Sequence, residues 1–397
     1  MLRPGDAGIP AAPRDNASPS MLLSCALLCC LAATQLPQGV DASASARADT
    51  TPWFSPEQAE RCAEAAERGL QWLAAQQSET GAWTGRVGHK MQDDYILLDQ
   101  ALSVDGQRRQ GRGHLGVTAL GGLAFLAGGH LPDRGPYADT VRRAHDYVVH
   151  CGLENGFLTD SGTRMYSHAF ATLFLAEIYG MAATEPAKLA LERAVNLIVD
   201  CQNQYGGWRY NPFDRETDMS VTVCQLQALR AARNIGIRVP IGTVDRAMAY
   251  VRASRVDSGP ARGLFYYKIY GRGAYQKATE YAINAAALTA LSSAGVHDDE
   301  LADPVLEFLQ RSYGNVADYQ PTHFYYWYGN YYAAQAFYQH GGSRCRRFFA
   351  RLADDLLAAQ MRDGRWRNDV GPGDEFATAV ACILLQMPKQ YLPIFQR

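Results

Sequence analysis

The sequence has little net charge, no closely paired cysteines and only one long apolar run. Lys and Arg number 38 against 40 Asp and Glu, which leaves a formal charge of −2. Proteins that bind nucleic acid usually carry an excess of basic residues, so nothing here predicts such a partner. The nine cysteines include no CxxC pair, which argues against a zinc ribbon and a dense disulfide scaffold. We therefore predict no metal and no other cofactor.

The apolar run lies at residues 21–33, near the start of the chain. Two arginines precede it and small residues follow it around Ala42, an order that is typical of an export signal. A membrane anchor is the weaker interpretation, because the run is shorter than the roughly 18 residues that span a bilayer. We predict that residues 1–44 are a targeting segment, that 45–397 form one domain with no membrane span, and that the protein is exported to the periplasm or the cell exterior.

The segment Leu191–Gly236 shows the unit from which the rest of the chain is built. In its first half, apolar residues recur at i, i+3, i+4, i+7 and i+8 from Leu191, which predicts a helix with one buried face. A turn with Gly207 and Trp208 follows. Asp218 then offers an N-cap for a second helix, which is apolar around nearly its whole circumference. The unit is therefore an outer amphipathic helix paired with an inner, buried one.

The same unit recurs six times along the chain. Good copies of the outer half end at Trp83 and Trp366, and weaker copies end at Phe157, Phe265 and Tyr319. The first and last copies match best, whereas an open stack of repeats usually has atypical ends, so we predict a closed ring. The predicted fold is all-α, an (α/α)6 toroid of six helix hairpins with inner and outer helical rings. The predicted inner helices are His114–Gly129, His168–Met181, Asp218–Ile235, Glu280–Gly295, Tyr326–His340 and Asp374–Met387.

Three copies carry a more specific pattern, a Gln followed by Gly-x-Trp or Gly-Trp. This pattern resembles the QW repeat of the superfamily that includes squalene and oxidosqualene cyclases and the protein prenyltransferases. The resemblance implies an α/α toroid and covers nearly the whole chain after residue 44. It implies less about activity, because the same toroid serves cyclases, prenyltransferases and thioester-containing binding domains. The residues that carry it are Gln76 or Gln77 with Gly81-Ala82-Trp83, Gln202 with Gly207-Trp208, and Gln360 with Gly364-Arg365-Trp366.

The catalytic motifs of that superfamily are not kept. Its class II terpene cyclases use a DxDD segment, and the nearest match is Arg215-Glu216-Thr217-Asp218, in which only the last Asp remains. Its prenyltransferases bind zinc through an Asp-x-Cys pair, and its thioester domains carry Cys-Gly-Glu-Gln. Neither pattern occurs in this chain. The resemblance therefore implies a fold and leaves the chemistry open.

Polar residues recur at the starts of the predicted inner helices, in pairs four residues apart. Such a pair lies on one helix face, so in a closed ring the pairs would converge at one end of a central cavity. Aromatic residues crowd the same region, and a cavity of this kind suits an apolar ligand. A structural role is the alternative, since polar side chains near helix starts also satisfy free backbone amides. The predicted cavity residues are His114, Thr118, His168, Thr172, Asp218, Thr222, Glu280, Asn284, Tyr326, Asn330, Asp374 and Thr378, with Tyr166, Tyr281, Trp327 and Glu375 beside them.

Two functions remain open from the sequence. The first is a toroid that binds an isoprenoid or another lipid in its chamber, or a peptide on its rim, without catalysis. The missing catalytic motifs favour this function. The second is an atypical terpenoid cyclase or isoprenoid-transferring enzyme, with Asp218, Glu280 or Asp374 as the acid and His168 as its partner.

Overall fold

Helices make up nearly all of the regular structure. The computed structural model describes residues 52–91, 94–97, 113–275, 277–314 and 321–395, and the predicted targeting segment lies outside them. The helices are α1 (Pro56–Gln76), α2 (Leu115–Ala127), α3 (Ala138–His150), α4 (Met165–Met181), α5 (Glu185–Asp200), α6 (Met219–Asn234), α7 (Ile241–Ala253), α8 (Tyr281–Ser293), α9 (Asp299–Ser312), α10 (Phe324–His340), α11 (Gly342–Ala359) and α12 (Asp374–Gln386). An antiparallel hairpin, β1 (Gly88–Met91) with β2 (Asp94–Leu97), and short 3-10 helices at Met387–Lys389 and Pro393–Phe395 are also present.

The even-numbered helices form an inner ring. Helix α2 packs against α4, α4 against α6, and so on through α8 and α10 to α12, which packs against α2 and closes the ring. The odd-numbered helices lie outside, and the first of them, α1, packs on the last inner helix, α12. The predicted all-α toroid of six helix hairpins is therefore confirmed.

Burial differs between the two rings as the apolar patterns require. The buried residues of α1 recur at i, i+3, i+4, i+7, i+8 and i+11 from Cys62, so this outer helix buries one face. All 13 residues of α2 are buried, because an inner helix has neighbours on every side. Small residues permit the close packing of the inner ring. A Cβ atom on Gly122 of α2 would lie only 2.4 Å from the ring of Phe174 in α4.

A glycine in the left-handed region makes the turn after most outer helices. Gly206 has φ +86°, and a Cβ atom there would lie 2.2 Å from the carbonyl oxygen of Arg246 in the next outer helix. Only glycine fits such a position. The glycines that share this conformation at the equivalent turns are Gly81, Gly156, Gly263 and Gly364.

The glutamines of the repeats join neighbouring outer helices. The Gln202 amide Nε2 donates to the carbonyl oxygen of Thr243 in α7 at 2.8 Å. The Gln360 amide does the same with the carbonyl oxygen of Ala65 in α1, also at 2.8 Å. The second bond links the last outer helix to the first, so hydrogen bonds as well as packing close the ring. The tryptophans that follow the turns are fully buried at Trp83, Trp208 and Trp366.

Two inner helices begin earlier than predicted. Helix α4 begins at Met165 rather than His168, and α10 begins at Phe324 rather than Tyr326. The sequence pattern misplaced both starts because an inner helix that is apolar nearly all round has no polar face to mark its first turn. The shift of a turn or less changes which side chain caps each helix.

The remaining sequence predictions concern cysteines and membranes. Six cysteines lie in the described part of the chain, and all of them are buried free thiols. Among the described helices, none is both long enough and apolar enough to cross a membrane.

Candidate ligand chamber

A cavity of about 200 Å³ lies where the inner helices begin. Every inner helix contributes wall residues from its first six positions, and the β1–β2 hairpin contributes Gly88 and Tyr95. The helix starts therefore share one central space. Three of the predicted cavity residues, His114, Tyr166 and Glu280, line it directly.

Aromatic rings form much of the wall. They offer apolar surface and π faces to anything that enters. Tyr281, Tyr326 and Trp327, which the sequence places beside the cavity, are buried elsewhere in the inner ring and do not line it. The aromatic residues that do line it are Tyr95, Tyr166, Phe170, Tyr210, Tyr267, Phe324, Tyr325, Tyr328 and Phe376.

Three tyrosines of the cavity wall donate their hydroxyl protons to acceptors in the protein. Tyr328 donates to the carbonyl oxygen of Ser220 at 3.0 Å, and Tyr267 donates to Oδ2 of Asp218 at 3.1 Å. Tyr166 lies 2.5 Å from Oγ of Ser220, which itself donates to Asp218, so Tyr166 must be the donor. Burial raises the pKa of Tyr166 and Tyr328 well above 10, so both phenols keep their protons. These tyrosines therefore present ring surface, rather than donor groups, to the cavity.

Asp218 lies behind this wall and is fully buried. Its Oδ1 accepts from the Val221 amide at 2.9 Å and from Ser220 Oγ at 2.7 Å. Its Oδ2 accepts from Tyr267 and from the guanidinium of Arg209. A carboxylate has about four lone-pair sites, and donors occupy all of them. Asp218 thus caps α6 and orients the tyrosine wall without facing the cavity.

In five repeats, a polar side chain of the inner helix accepts a hydrogen bond from a backbone amide. That amide belongs to the residue two positions after the turn glycine. This bond satisfies a buried donor that no helix or strand ladder serves. It is the structural alternative that the sequence left open. The acceptors are Thr118 for the Trp83 amide (3.0 Å), His168 for Leu158 (3.1 Å), Thr222 for Trp208 (3.3 Å), Asn284 for Phe265 (2.9 Å) and Thr378 for Trp366 (3.0 Å).

This set corrects the register of the second repeat. His168 lies where Thr118 and Thr222 lie, so the residue equivalent to Asp218 is Arg164. His168 is fully buried, and its two ring nitrogens face the backbone of Leu158 and Ala194. Burial lowers its pKa to about 4, so the ring is neutral. The structure therefore places His168 in the fold and not beside a carboxylic acid of the chamber.

Thr172 and Asn330, the second members of two predicted polar pairs, also lie within the packed inner ring rather than at the cavity. Thr172 donates to the carbonyl oxygen of His168 at 2.8 Å inside α4, and Asn330 accepts from the Tyr281 hydroxyl at 3.3 Å. Both residues are fully buried. In α10 the N-cap is His323, whose Nδ1 accepts from an amide of the first turn, rather than Tyr326.

The predicted carboxylates separate into two groups. Asp374 accepts hydrogen bonds from Arg365 Nε at 2.9 Å and from the backbone amide of Asn368 at 2.8 Å. It does not line the cavity. Glu375 accepts from Thr84 at 3.2 Å, and burial raises its pKa. Glu280 does line the cavity, and its Oε1 lies 3.2 Å from Nζ of Lys277. Glu280 is therefore the carboxylate that a ligand in the cavity would meet.

Two nitrogen groups complete the lining. His114 is 8% exposed, and its Nδ1 accepts from the Val117 amide at 3.2 Å. Burial lowers its pKa to about 4, so the ring is neutral and carries its proton on Nε2. Arg164 also lines the cavity, and its guanidinium has no hydrogen bond or ion pair with any residue that the structure describes. No sequence signal marks Arg164, because the loop between turn glycine and inner helix varies in length among the repeats.

A metal centre is not part of this arrangement as far as the structure describes the chain. In the described ranges, no group of His, Cys, Asp and Glu side chains could hold a metal ion. The lining groups are aromatic and aliphatic side chains, small polar residues, and the side chains of His114, Arg164 and Glu280.

The fold and the site together define an α/α toroid with a central aromatic chamber. No protein-family model matches the chain, and no curated protein matches its sequence. Solved structures do share the fold, over most of this chain and nearly all of theirs. Two enzyme classes are represented among them.

One class acts on carbohydrate. An α-1,6-mannanase of Salegentibacter sp. matches with a TM-score of 0.61 and 9% identity, over 83% of this chain and 99% of that one. An α-amylase from Clostridium perfringens matches with a TM-score of 0.59 and 9% identity, over 81% and 97%.

The other class is terpenoid. A type II terpene cyclase from Scytonema, in complex with its substrate geranylgeranyl dihydroxybenzoate, matches with a TM-score of 0.55 and 12% identity, over 85% and 100%. The chain therefore has a terpenoid cyclase-like α/α toroid fold, as the resemblance implied. Because two chemistries share this toroid, the fold alone assigns no activity.

Proposed function

We propose that this protein binds a small apolar ligand, an isoprenoid or a comparable lipid, in the chamber at the inner-helix starts, without transforming it. The observation that carries the proposal is the wall itself. Tyr166, Tyr267 and Tyr328 direct their hydroxyl protons to Ser220 and Asp218, so a wall rich in tyrosine behaves as an apolar surface. Apolar surface removed from water contributes about 25 cal/mol per Å² to binding.

The volume limits the ligand. About 200 Å³ is below the roughly 300–1,000 Å³ of ordinary small-molecule sites and holds about seven waters at ~30 Å³ each. A short isoprenoid or the end of a longer chain fits this space. A complete squalene molecule would require the chamber to open.

The sugar-acting neighbours suggest a different ligand class, and the wall argues against it. A sugar requires several donors and acceptors that converge on its hydroxyl groups. Here the tyrosine protons of Tyr166, Tyr267 and Tyr328 are already committed to the protein. Beyond Arg164, His114 and Glu280 the wall offers a carbohydrate few free polar groups, so most of its hydroxyl groups would be buried without partners, at a cost for each group.

The alternative function is an atypical terpenoid cyclase or isoprenoid-transferring enzyme. Asp218 does not support it, because donors fill all four lone-pair sites and leave no place for a transferable proton. Thr217 stands where the family has its proton donor and is fully buried, 3.4 Å from Thr222. Glu280 is the described carboxylate that reaches the cavity, so an enzyme of this kind would use Glu280 as its acid.

The test is a cavity-filling substitution. Ala282 lines the chamber at the start of α8, and A282F places an aromatic ring in that space. We expect lipid to be recovered by solvent extraction and mass spectrometry from the wild-type protein, and A282F to bind geraniol at least about tenfold more weakly. The matched control is A63F, since Ala63 is exposed on α1.

Equal binding of geraniol by A282F and the wild type would contradict the chamber proposal. Incubation of the wild type with squalene or prenyl diphosphates tests the alternative. Conversion of either compound, lost in E280Q, would show that the protein is an enzyme.

Export is a separate proposal. Its support is the apolar run at 21–33 with arginines before it and small residues after it. We expect the protein outside the cytoplasm to begin near residue 44, which N-terminal sequencing of fractionated cells would detect. Full-length protein confined to the cytoplasm would contradict export.

A further inference from the structure

We propose that the ligand of the chamber is an apolar acid whose carboxylate binds between the guanidinium of Arg164 and the Nε2–H of His114. This inference rests on the proposed function and adds the ligand's headgroup to it. Both side chains line the cavity. Arg164 and His114 are also the residues that directly precede α4 and α2.

The two caps belong to helices that touch. A Cβ atom on Gly116 of α2 would lie 2.7 Å from Oγ of Ser167 in α4, so the first turns of these helices are in contact. His114 lies two residues before Gly116, and Arg164 lies three before Ser167. The two nitrogen groups therefore flank one section of the wall.

Both groups have donors to spare. Arg164 has no hydrogen bond or ion pair with the residues that the structure describes, although the other arginine of the chamber region, Arg209, is bound to Asp218 and Tyr267. His114 is more than nine-tenths buried, and its Nδ1 accepts from the Val117 amide, which leaves Nε2–H for the cavity. A carboxylate that accepted from both would form the strong, charge-assisted type of hydrogen bond.

The positive charge that lines the cavity favours a carboxylate over a diphosphate. Arg164 is the one Lys or Arg among the described residues that line the cavity. A guanidinium matches a carboxylate in planarity and in charge. A diphosphate carries more charge and is usually held by several cations or by a metal, and the described residues offer no metal cluster. Glu280 also lines the cavity, but Lys277 lies 3.2 Å from it and offsets its charge.

The experiment compares three probes with one carbon skeleton: geranic acid, geraniol and geranyl diphosphate. Calorimetry on the full chain measures the affinity of each, at pH 7. We expect the acid to bind about tenfold more tightly than the alcohol, since a charge-assisted hydrogen bond contributes more than a neutral one. In R164Q the affinity for geranic acid should fall to that for geraniol, while the affinity for geraniol stays the same.

The matched control is R215Q, which removes the same charge from an exposed arginine outside the cavity. Equal affinities of acid and alcohol in the wild type would overturn the headgroup assignment and leave the apolar-chamber proposal intact. Tightest binding of the diphosphate, or an equal loss in R164Q and R215Q, would also overturn it. If none of the three probes binds, the proposed function fails together with this inference. The wild-type comparison needs no variant, so a misfolded R164Q would not remove the test.

Discussion

Asp218 and Arg164 occupy the same position in two repeats, immediately before an inner helix, and their surroundings are opposite. Asp218 is fully buried and every lone pair accepts a hydrogen bond. Arg164 is partly buried and lines the cavity, and its guanidinium has no hydrogen bond or ion pair with the described residues. The repeat thus fixes where a polar side chain begins the helix without fixing what that side chain does.

The comparison separates structure from function on physical grounds. A buried charge with a full set of partners is held in one arrangement and has no capacity left for a ligand. A charge that lines a cavity without a partner keeps that capacity. By this criterion Asp218 stabilises the wall, whereas Arg164 and the free nitrogen of His114 are available to a ligand.

The largest expected effect is at Asp218. D218A removes the cap of α6 and leaves the Arg209 guanidinium, whose side chain is 19% exposed, with Glu216 at 3.8 Å as its remaining counter-charge. Breaking a buried pair in this way typically destabilises a protein by about 3–5 kcal/mol. Urea denaturation followed by circular dichroism measures the free energy of unfolding. A loss below about 1 kcal/mol would contradict the structural role assigned to Asp218.

A smaller effect is expected from the pH dependence of His168. Its pKa is lowered from 6.5 to about 4 in the folded protein, so above pH 6.5 neither state is protonated and the histidine adds no pH dependence. Below that value the unfolded chain gains a proton that the folded one does not. Stability should therefore fall between pH 6.5 and 4, by about 3 kcal/mol in all at ~1.4 kcal/mol per pKa unit.

The H168N variant isolates this contribution. Asn284 already accepts the equivalent amide in another repeat, so asparagine can keep the bond to Leu158. His114, whose pKa is also lowered, likewise reduces stability as the pH falls. Glu177, whose pKa burial raises to about 8, has the opposite effect on stability. Both remain in the variant, so the difference between the two stability curves reports His168 alone. Parallel curves would refute the assignment, and H297N, at an exposed histidine, supplies the control.

The smallest expected effect is at Arg164. R164A removes no hydrogen bond or ion pair within the described residues, so the free energy of unfolding should change by less than about 0.5 kcal/mol. The same denaturation measurement as for D218A checks it. A loss of unfolding free energy close to that of D218A would contradict the different roles assigned to Arg164 and Asp218. The affinity for geranic acid, by contrast, should fall.

The repeats explain which parts of the fold could be predicted. Gly206 and Gln202 act through local geometry and a neighbouring copy of the same unit, so their spacing in the chain carries the information. Asp218 was correctly placed as a helix cap for the same reason. His168 was misplaced by one turn because an inner helix that is apolar nearly all round has no polar face to mark where it begins.

The chamber was less predictable than the ring around it. Tyr210 and Tyr267 line the cavity from loops between repeats, and no periodicity extends into those loops. Tyr281 and Trp327 lie in inner helices, but on faces that meet neighbouring helices rather than the cavity. A rotation of one helix by a residue changes the direction of a side chain by about 100°, which the sequence alone cannot resolve.

The sequence by itself determined the six-fold pairing of an amphipathic with an apolar helix, and through it the closed double ring, because helix period and turn glycines are local properties repeated along the chain. Only the tertiary structure decided which polar groups are satisfied. Donors and acceptors from distant repeats, such as Tyr267 for Asp218, meet only after the ring closes. The same closure leaves Arg164 and His114 facing the cavity.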